Sequence, residues 1–387
     1  MIGYVPAKRR CIVVGAGLLG LSGAWALSRR GWNVVVLEAA AAPGHERSGS
    51  KGDARIFRLG YPEPHYAEMA VLARAAWLDL EAATGRPLLH VTGQVTLGDE
   101  VTLHAIAGAL AGAGTPVELL SATAAARQFP GIAASGPVLL EPDSGVLAAD
   151  ACLRAFRQAG TFELRTGSVV TSLRQSPGSA TVATADGTSL QADIVVDCAG
   201  PASLGLLHPA LPVGTAPSLP QVAYFASRRD GDALPPVFID WGDAMFYGLP
   251  VPVGGPRAGT YKVSCHAPGS PLEAFDPAVP VPLAGDDPAL LAQLTAAVER
   301  LLPSLAPQPV ATERCVYDNS TDTDFVLDRV GRVVVGCGTS GHGFKFGPLL
   351  GELLADLAED RHPVVDLDRF SLRRTLPSDD GSPAAAH

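Results

Sequence analysis

The 387-residue chain lacks most of the features that would place it at once. Its cysteines are not paired: Cys11, Cys152, Cys198, Cys265, Cys315 and Cys337 are scattered, without zinc-type spacing. Most stand in apolar, strand-like surroundings, where a free thiol behaves as a small hydrophobe. A reducing, cytoplasmic setting is therefore expected. Cations are not in surplus either, with 29 Lys and Arg against 39 Asp and Glu, a net charge of −10. That balance argues against broad nucleic-acid binding, so locally placed cations must hold any anionic ligand. There is no internal repeat and no metal-ligating pattern. One stretch, KRRCIVVGAGLLGLSGAWAL, imitates an export signal, but its glycine spacing and the strand after it explain it better. No membrane partner is expected. The chain reads as unprocessed, with a loose Ser/Pro/Ala-rich tail after Leu376.

What is present is a long chain, 47% hydrophobic and 18% charged, enough for two domains. CIVVGAGLLGLSGAWALSRRGWNVVVLEA reads as strand, turn, helix, strand. Gly15, Gly17 and Gly20 form G-x-G-x-x-G, and Leu18, Leu21 and Trp25 then recur at helical spacing. Gly15 permits the tight turn, Gly17 lets backbone approach a pyrophosphate, and Gly20 lets helix and strand pack closely. The helix N-terminus offers N–H groups to phosphate, and Glu38 closes the second strand, placed to accept ribose hydroxyls. NAD and FAD both fit this pattern.

Later segments add to the same unit. TFELRTGSVVTSLRQ predicts a strand through Val169 and Val170. ADIVVDCAGPASLGLL predicts another, ending in a turn at Gly200. GRVVVGCGTSGHGFKFGPLLGELLADLAED predicts a third, then a helix with Leu349, Leu350, Leu353, Leu354 and Leu357 on one stripe and Pro348 in its first turn. Residues 86–144 and 216–319 differ, with Pro and Gly punctuating short apolar runs. The expected fold class is α/β with an α+β second domain. A Rossmann-like dinucleotide-binding domain (1–85, 145–215 and 320–387) is interleaved with a sheet-rich second domain (86–144 and 216–319).

Several motifs align in order along nearly the whole chain: the glycine turn with Glu38, GDARIFRLGY (52–61), DSGVLAADACLRAF (143–156), YKVSCH (261–266), CVYDNSTDTDFVLD (315–328) and GTSGHGFKF (338–346). In that combination the sequence resembles the flavin amine oxidases of the D-amino-acid oxidase superfamily, most closely the monomeric sarcosine oxidase and N-methyltryptophan oxidase branch. The resemblance implies FAD, carried by Cys315 through a thioether to the 8-methyl group of the flavin. A thiolate is the competent nucleophile, and neighbouring cations favour it. Val170, Gly200, Gly338, Gly341, Gly343, Phe344 and Lys345 are implied around the cofactor.

The resemblance also assigns roles at the reaction centre. Arg55 lies against the flavin, and Arg58 and Lys345 reach the substrate carboxylate. Taken alone, Arg55 and Arg58 are three apart, so a helical turn would place both on one face. Lys262 activates dioxygen, since a fixed cation lowers the cost of superoxide in a dry site. On a strand Lys262, Ser264 and His266 would point the same way, with His266 lining the pocket. Tyr247 and Tyr317 shape that pocket, and His342 precedes a helix whose positive end steadies negative charge on reduced flavin. Two places depart from the family pattern: Asp318 replaces a small hydroxyl residue, and CHAPGSPLEAF lacks the usual polar continuation. Both border the pocket and point to a bulkier or cyclic secondary amino acid as readily as to sarcosine.

The expected partners are a small amino acid and dioxygen, and the expected state is a monomer. Two other readings compete with an oxidase. A flavin dehydrogenase serving a protein or quinone acceptor would yield dye reduction without peroxide, and Lys262 argues against it. A flavin-binding protein that has lost catalysis would show no substrate-dependent bleaching, and Arg58, His266, His342 and Lys345 together argue against that.

Overall fold

In the computed structural model the described residues are 8–207, 213–229, 231–242, 245–266, 269–272, 275, 283 and 285–376. The tail after Leu376 and part of CHAPGSPLEAF lie outside them.

The short Val- and Ile-rich runs are too apolar to sit at an edge and become the inner strands of a six-stranded sheet. Its order is Val326–Val330, Val333–Cys337, Ile194–Asp197, Arg10–Val14, Asn33–Leu37 and Glu163–Arg165. All neighbours are parallel except the first pair. A strand buried on both faces reads as a continuous apolar run rather than an alternation, as in Cys11–Val14 and Val34–Leu37. An eight-stranded sheet, mostly antiparallel, runs Leu305–Arg314, Gln221–Ser227, Tyr261–Cys265, Phe246–Pro250, Val237–Asp240, Gln94–Leu97, Val138–Glu141 and Glu118–Leu120. Its strands come from 86–144 and 216–319. A three-stranded sheet built from Ala54–Phe57, Gly145–Ala148 and Leu89–Val91 joins distant segments.

Two expectations about elements are corrected. The strand expected through Val169 and Val170 is two strands in different sheets, Glu163–Arg165 and Val170–Gln175. The chain breaks between them at Gly167, whose φ of 69° ends the extended run. Arg55 and Arg58 do not share a helical turn. Residues Ala54–Phe57 are a strand paired antiparallel with Gly145–Ala148, Arg55 opposite Leu147. Three-residue spacing on a strand points side chains to opposite faces, but Arg58 falls just past the strand end, where the chain is free to turn.

The helix Leu18–Arg29 packs against Gly347–Glu359, which carries the predicted leucine stripe and has Pro348 in its first turn. Leu349, Leu350, Leu353 and Leu354 are buried, Leu357 partly so. The two helices meet through glycines. Gly23 faces Leu354, and a Cβ on Gly351 would lie 2.5 Å from the backbone carbon of Ser22. Because backbone cannot yield as a side chain does, Gly351→Ala must separate the helices. The expected loss is about 1–3 kcal/mol, read as a lower Tm in thermal unfolding. An unchanged Tm would mean that the helix pair adjusts freely.

Candidate functional site

Three strands of the six-stranded sheet, Arg10–Val14, Asn33–Leu37 and Ile194–Asp197, end side by side and open onto a cavity of about 840 Å³. At this edge Gly15 takes φ 91°, and a Cβ there would stand 2.4 Å from the Cys198 carbonyl oxygen. The Gly15 N–H donates to Leu37 O at 2.7 Å, tying the turn to the second strand. Glu38 is buried directly after that strand. Its Oε2 accepts the Ala16 N–H at 2.8 Å and its Oε1 accepts the Ala40 N–H at 2.9 Å, with His45 Nε2 3.5 Å away. Burial opposes its charge, but His45 and these two N–H groups hold its carboxyl below the usual range. A carboxylate has about four acceptor positions, so capacity remains for a sugar hydroxyl. Gly17, Val170 and Gly200 also line this end of the cavity. Gly20 does not: it packs against Gly15, whose carbonyl oxygen a Cβ would meet at 1.9 Å.

At the other end the eight-stranded sheet faces the cavity with Lys262 and Tyr247 on neighbouring strands. Lys262 is buried and its Nζ donates to Ala54 O at 3.4 Å. Burial, aided by Arg55, pushes its pKa down to about 8. Arg55 itself is held by carbonyls, donating to Lys51 O at 2.6 Å and to Gly49 and Ala54 O at 3.0 Å, with its guanidinium 5.5 Å from the Phe344 ring. Cys315 is a buried free thiol on the same wall, its N–H bonded to Pro220 O at 3.0 Å. The adjacent Arg314 donates instead to Leu219 O and Ser270 Oγ, while Lys262 interacts electrostatically with Cys315. Tyr247 and Tyr317 both line the cavity, and burial raises both phenols. Gly341, at φ 75°, lets the Tyr317 ring lie where a Cβ would be only 2.3 Å from it.

The third part of the site is cationic. The buried Arg58 guanidinium lies 4.2 Å from the Tyr61 ring and 5.3 Å from Trp241. The buried Lys345 Nζ donates to His342 O at 2.7 Å and stands 5.6 Å from Tyr61. Burial, then Arg58, drives the Lys345 pKa well below the ordinary lysine range. Among the described residues neither cation forms an ion pair with a carboxylate. His266 and His342 line the same space, with Gly343 and Phe344. Asp318, one of the two departures noted in the sequence, also lines the cavity. Its Oδ2 accepts the Gly338 N–H at 2.6 Å, while burial raises its pKa to about 6. Gly338 itself is not on the lining.

Sequence reasoning missed several participants. Glu141 is buried and accepts from the Leu59 N–H at 3.2 Å, the Gly60 N–H at 2.8 Å, Ser144 Oγ at 2.8 Å and Gln94 Nε2 at 2.6 Å. It thereby fixes the corner that follows Arg58. Ser50 Oγ accepts the Leu18 N–H at 2.9 Å at the start of the first helix. Tyr61 stands in the quoted motif GDARIFRLGY, yet nothing local marked its ring as the face under two cations.

The sequence profile of the family DAO, FAD dependent oxidoreductase, matches residues 10–357. Peroxisomal sarcosine oxidase of Mus musculus is 32% identical over 385 residues, covering 94% of this chain and 95% of that protein. N-methyl-L-tryptophan oxidase of Yersinia pestis (strain Pestoides F) is 29% identical over 381 residues, covering 94% and 98%. Among solved structures, NikD, an unusual amino acid oxidase essential for nikkomycin biosynthesis, superposes with a TM-score of 0.79 at 25% identity, covering 96% of this chain and 99% of that one. The residues present fit FAD: Gly15, Gly17 and Gly200 line one end of the cavity with bare backbone, Glu38 sits at the rim with acceptor capacity to spare, and a second, cation-walled end remains beyond.

Proposed function

The chain belongs to the FAD-dependent oxidoreductase family, and from that premise we propose that it is an amine oxidase acting on a secondary or N-alkylated α-amino acid. One observation carries the substrate class. In a protein of net charge −10, two buried cations from segments far apart, Arg58 and Lys345, converge on one end of the cavity, and neither forms an ion pair among the described residues. They would hold the substrate carboxylate, Arg as a fork and Lys as a point charge. The mouse and Yersinia relatives are named for N-methylated amino acids, which supports an N-alkylated substrate here.

When bound, FAD supplies a two-electron acceptor that takes hydride at N5 from the carbon next to nitrogen and passes the electrons to dioxygen, giving hydrogen peroxide. Gly15, Gly17, Glu38, Val170 and Gly200 would hold its dinucleotide part, and Arg55, Gly341, Gly343 and Phe344 its ring. Cys315, buried on that wall, would carry it covalently through the 8-methyl carbon. The substrate nitrogen must be uncharged for its lone pair to assist hydride loss, and His266 and His342 are placed to take its proton. Tyr247 and Tyr317 would wall the pocket and exclude water. Lys262 is the cation beside which dioxygen would be reduced. We further propose two domains divided as the two large sheets divide, a monomeric state, and a reducing cytoplasmic setting suited to six free, buried cysteines.

Three experiments test this reading. Removing one partner of a buried charge contact costs about 2–4 kcal/mol, or roughly 30–1,000-fold. Arg58→Met should lose that much kcat/KM for the amino acid and change little for the same amine without its carboxylate. Equal oxidation of both compounds by the unmodified enzyme would sink the carboxylate assignment. The Lys262 cation is lost as pH rises through about 8 rather than near the ordinary 10.5, so stopped-flow reoxidation in air should slow across that window. Lys262→Met should be slow and flat with pH, and a wild-type profile without this inflection removes Lys262 from the step. Finally, acid-precipitated protein should stay yellow, whereas Cys315→Ser should release its flavin; a colourless wild-type precipitate disposes of covalent attachment.

A further inference from the structure

The sequence from Asp318 to Asp328 is rich in acid, and no part of the proposed chemistry uses Asp322 or Asp324. Both are taken by arginines from the last described segment. Arg374 donates from Nε and Nη2 to the two oxygens of Asp322, each at 2.6 Å, with side chains only 6% and 8% exposed. Its remaining donors reach Phe325 O at 3.0 Å and the Asp324 and Ser371 carbonyl oxygens at 3.2 Å. Arg369 bonds Asp324 through Nη2 at 2.9 and 3.0 Å and through Nε at 3.2 Å, and pairs with Glu63 at 2.7 Å. Asp324 also accepts from the Tyr66 hydroxyl at 2.7 Å. Ser371 Oγ and the Leu372 N–H both donate to Asp328 Oδ2 at 2.9 Å, so three carboxylates tie down one strap.

Between the two clamped aspartates, Thr323 stands at φ 66°, a left-handed conformation that a β-branched residue adopts only under constraint. Its carbonyl oxygen lies 3.2 Å from His342 Nε2. A carbonyl can only accept, so this contact fixes the imidazole with a proton on Nε2. Phe325 stacks on the same ring at 4.7 Å. The His342 carbonyl in turn receives the Lys345 Nζ at 2.7 Å. An unbroken series of bonds therefore runs from Arg374 through the Asp322–Phe325 turn to His342 and Lys345. Arg374 does not line the cavity.

We infer that the carboxyl-terminal strap is a positioning element for the substrate-binding end of the site, with Arg374 setting His342 and Lys345 through the strained turn at Thr323. This rests on the carboxylate reading of Lys345. A bidentate arginine suits the task because its rigid fork fixes two oxygens while its other N–H groups hold three backbone carbonyls, which lysine cannot reproduce. An Arg374 change should loosen the geometry around Lys345 without removing any group that touches substrate.

The test uses flavin-loaded enzyme and acetate, a carboxylate that cannot be oxidised, with its Kd read from the visible flavin spectrum. Arg374→Gln should raise that Kd and the KM for the amino acid roughly 10–100-fold, the scale of a misplaced binding group. The limiting rate of flavin reduction should change far less. Arg374→Lys should restore only part of the loss. Lys345→Met should also weaken acetate, and adding Arg374→Gln to it should cost nothing more. If Arg374→Gln does not fold, the pair Asp322→Asn with Arg374→Gln leaves no buried charge unpaired and reads the same constants. Acetate binding weakened by Lys345→Met but untouched by the Arg374 variants overturns the strap alone, as do losses that multiply in the double variant. Acetate binding untouched by Lys345→Met overturns the carboxylate reading and the strap with it.

Discussion

Everything at the reaction end of this molecule depends on keeping three cations out of water. Arg58, Lys262 and Lys345 are all buried, and removing a charge from water costs several kcal/mol unless other dipoles replace the solvent. Here the replacement is mostly neutral. Backbone oxygen of Ala54 serves Lys262, that of His342 serves Lys345, and aromatic faces cover Arg58. Carbonyls and rings lower the cost of burial without cancelling the charge, as an abutting carboxylate would. Burial, aided by the neighbouring arginines, still pulls the pKa of both lysines down.

That arrangement explains why the site is assembled from so many separate segments. Each carbonyl must be aimed by its own piece of backbone, and each piece must be fixed. The Ala54–Phe57 strand aims Ala54 through its pairing with Gly145–Ala148. The corner after Arg58 is fixed by Glu141, which takes both the Leu59 and Gly60 N–H groups. The turn before Lys345 is fixed by Thr323 and Phe325 against His342. Carboxylates are abundant around the site, yet Glu141 is engaged with N–H and hydroxyl donors, and Asp322 and Asp324 with arginines from the strap. The acidity of the chain and the positive character of the pocket are therefore compatible.

The glycine-turn end of the cavity was legible in the sequence because its information is local. Gly15, Gly17, Gly20 and Glu38 lie within one strand–helix–strand unit, and spacing alone states which must be glycine. Lys262 was legible from its strand, whereas His266, which also lines the cavity, lies just past the strand end at Cys265, and Ser264 between them is not on the lining. Arg55 and Arg58 were half legible. Their presence at the cavity followed from the motif, but a spacing of three suits a helix, and only pairing with a segment some ninety residues on makes Ala54–Phe57 a strand. Glu141 was illegible because its partners Leu59 and Gly60 are 82 and 81 residues away. Nothing near it in LLEPDSGVL distinguishes a structural acid from a solvated one.

The acidic stretch shows the same limit from the other side. Read by itself, DNSTDTDFVLD suggests a solvated loop whose like charges repel. Arg369 and Arg374, 45 and 52 residues downstream, turn it into a clamp. A charge run has no fixed meaning until its counter-charges are placed, and in this fold they come from the segment that returns last to the site. The strained backbone of Thr323 is held from both sides by those pairs, and its carbonyl then decides which nitrogen of His342 carries the proton. A residue at the cavity can thus owe its chemical state to arginines that never reach it.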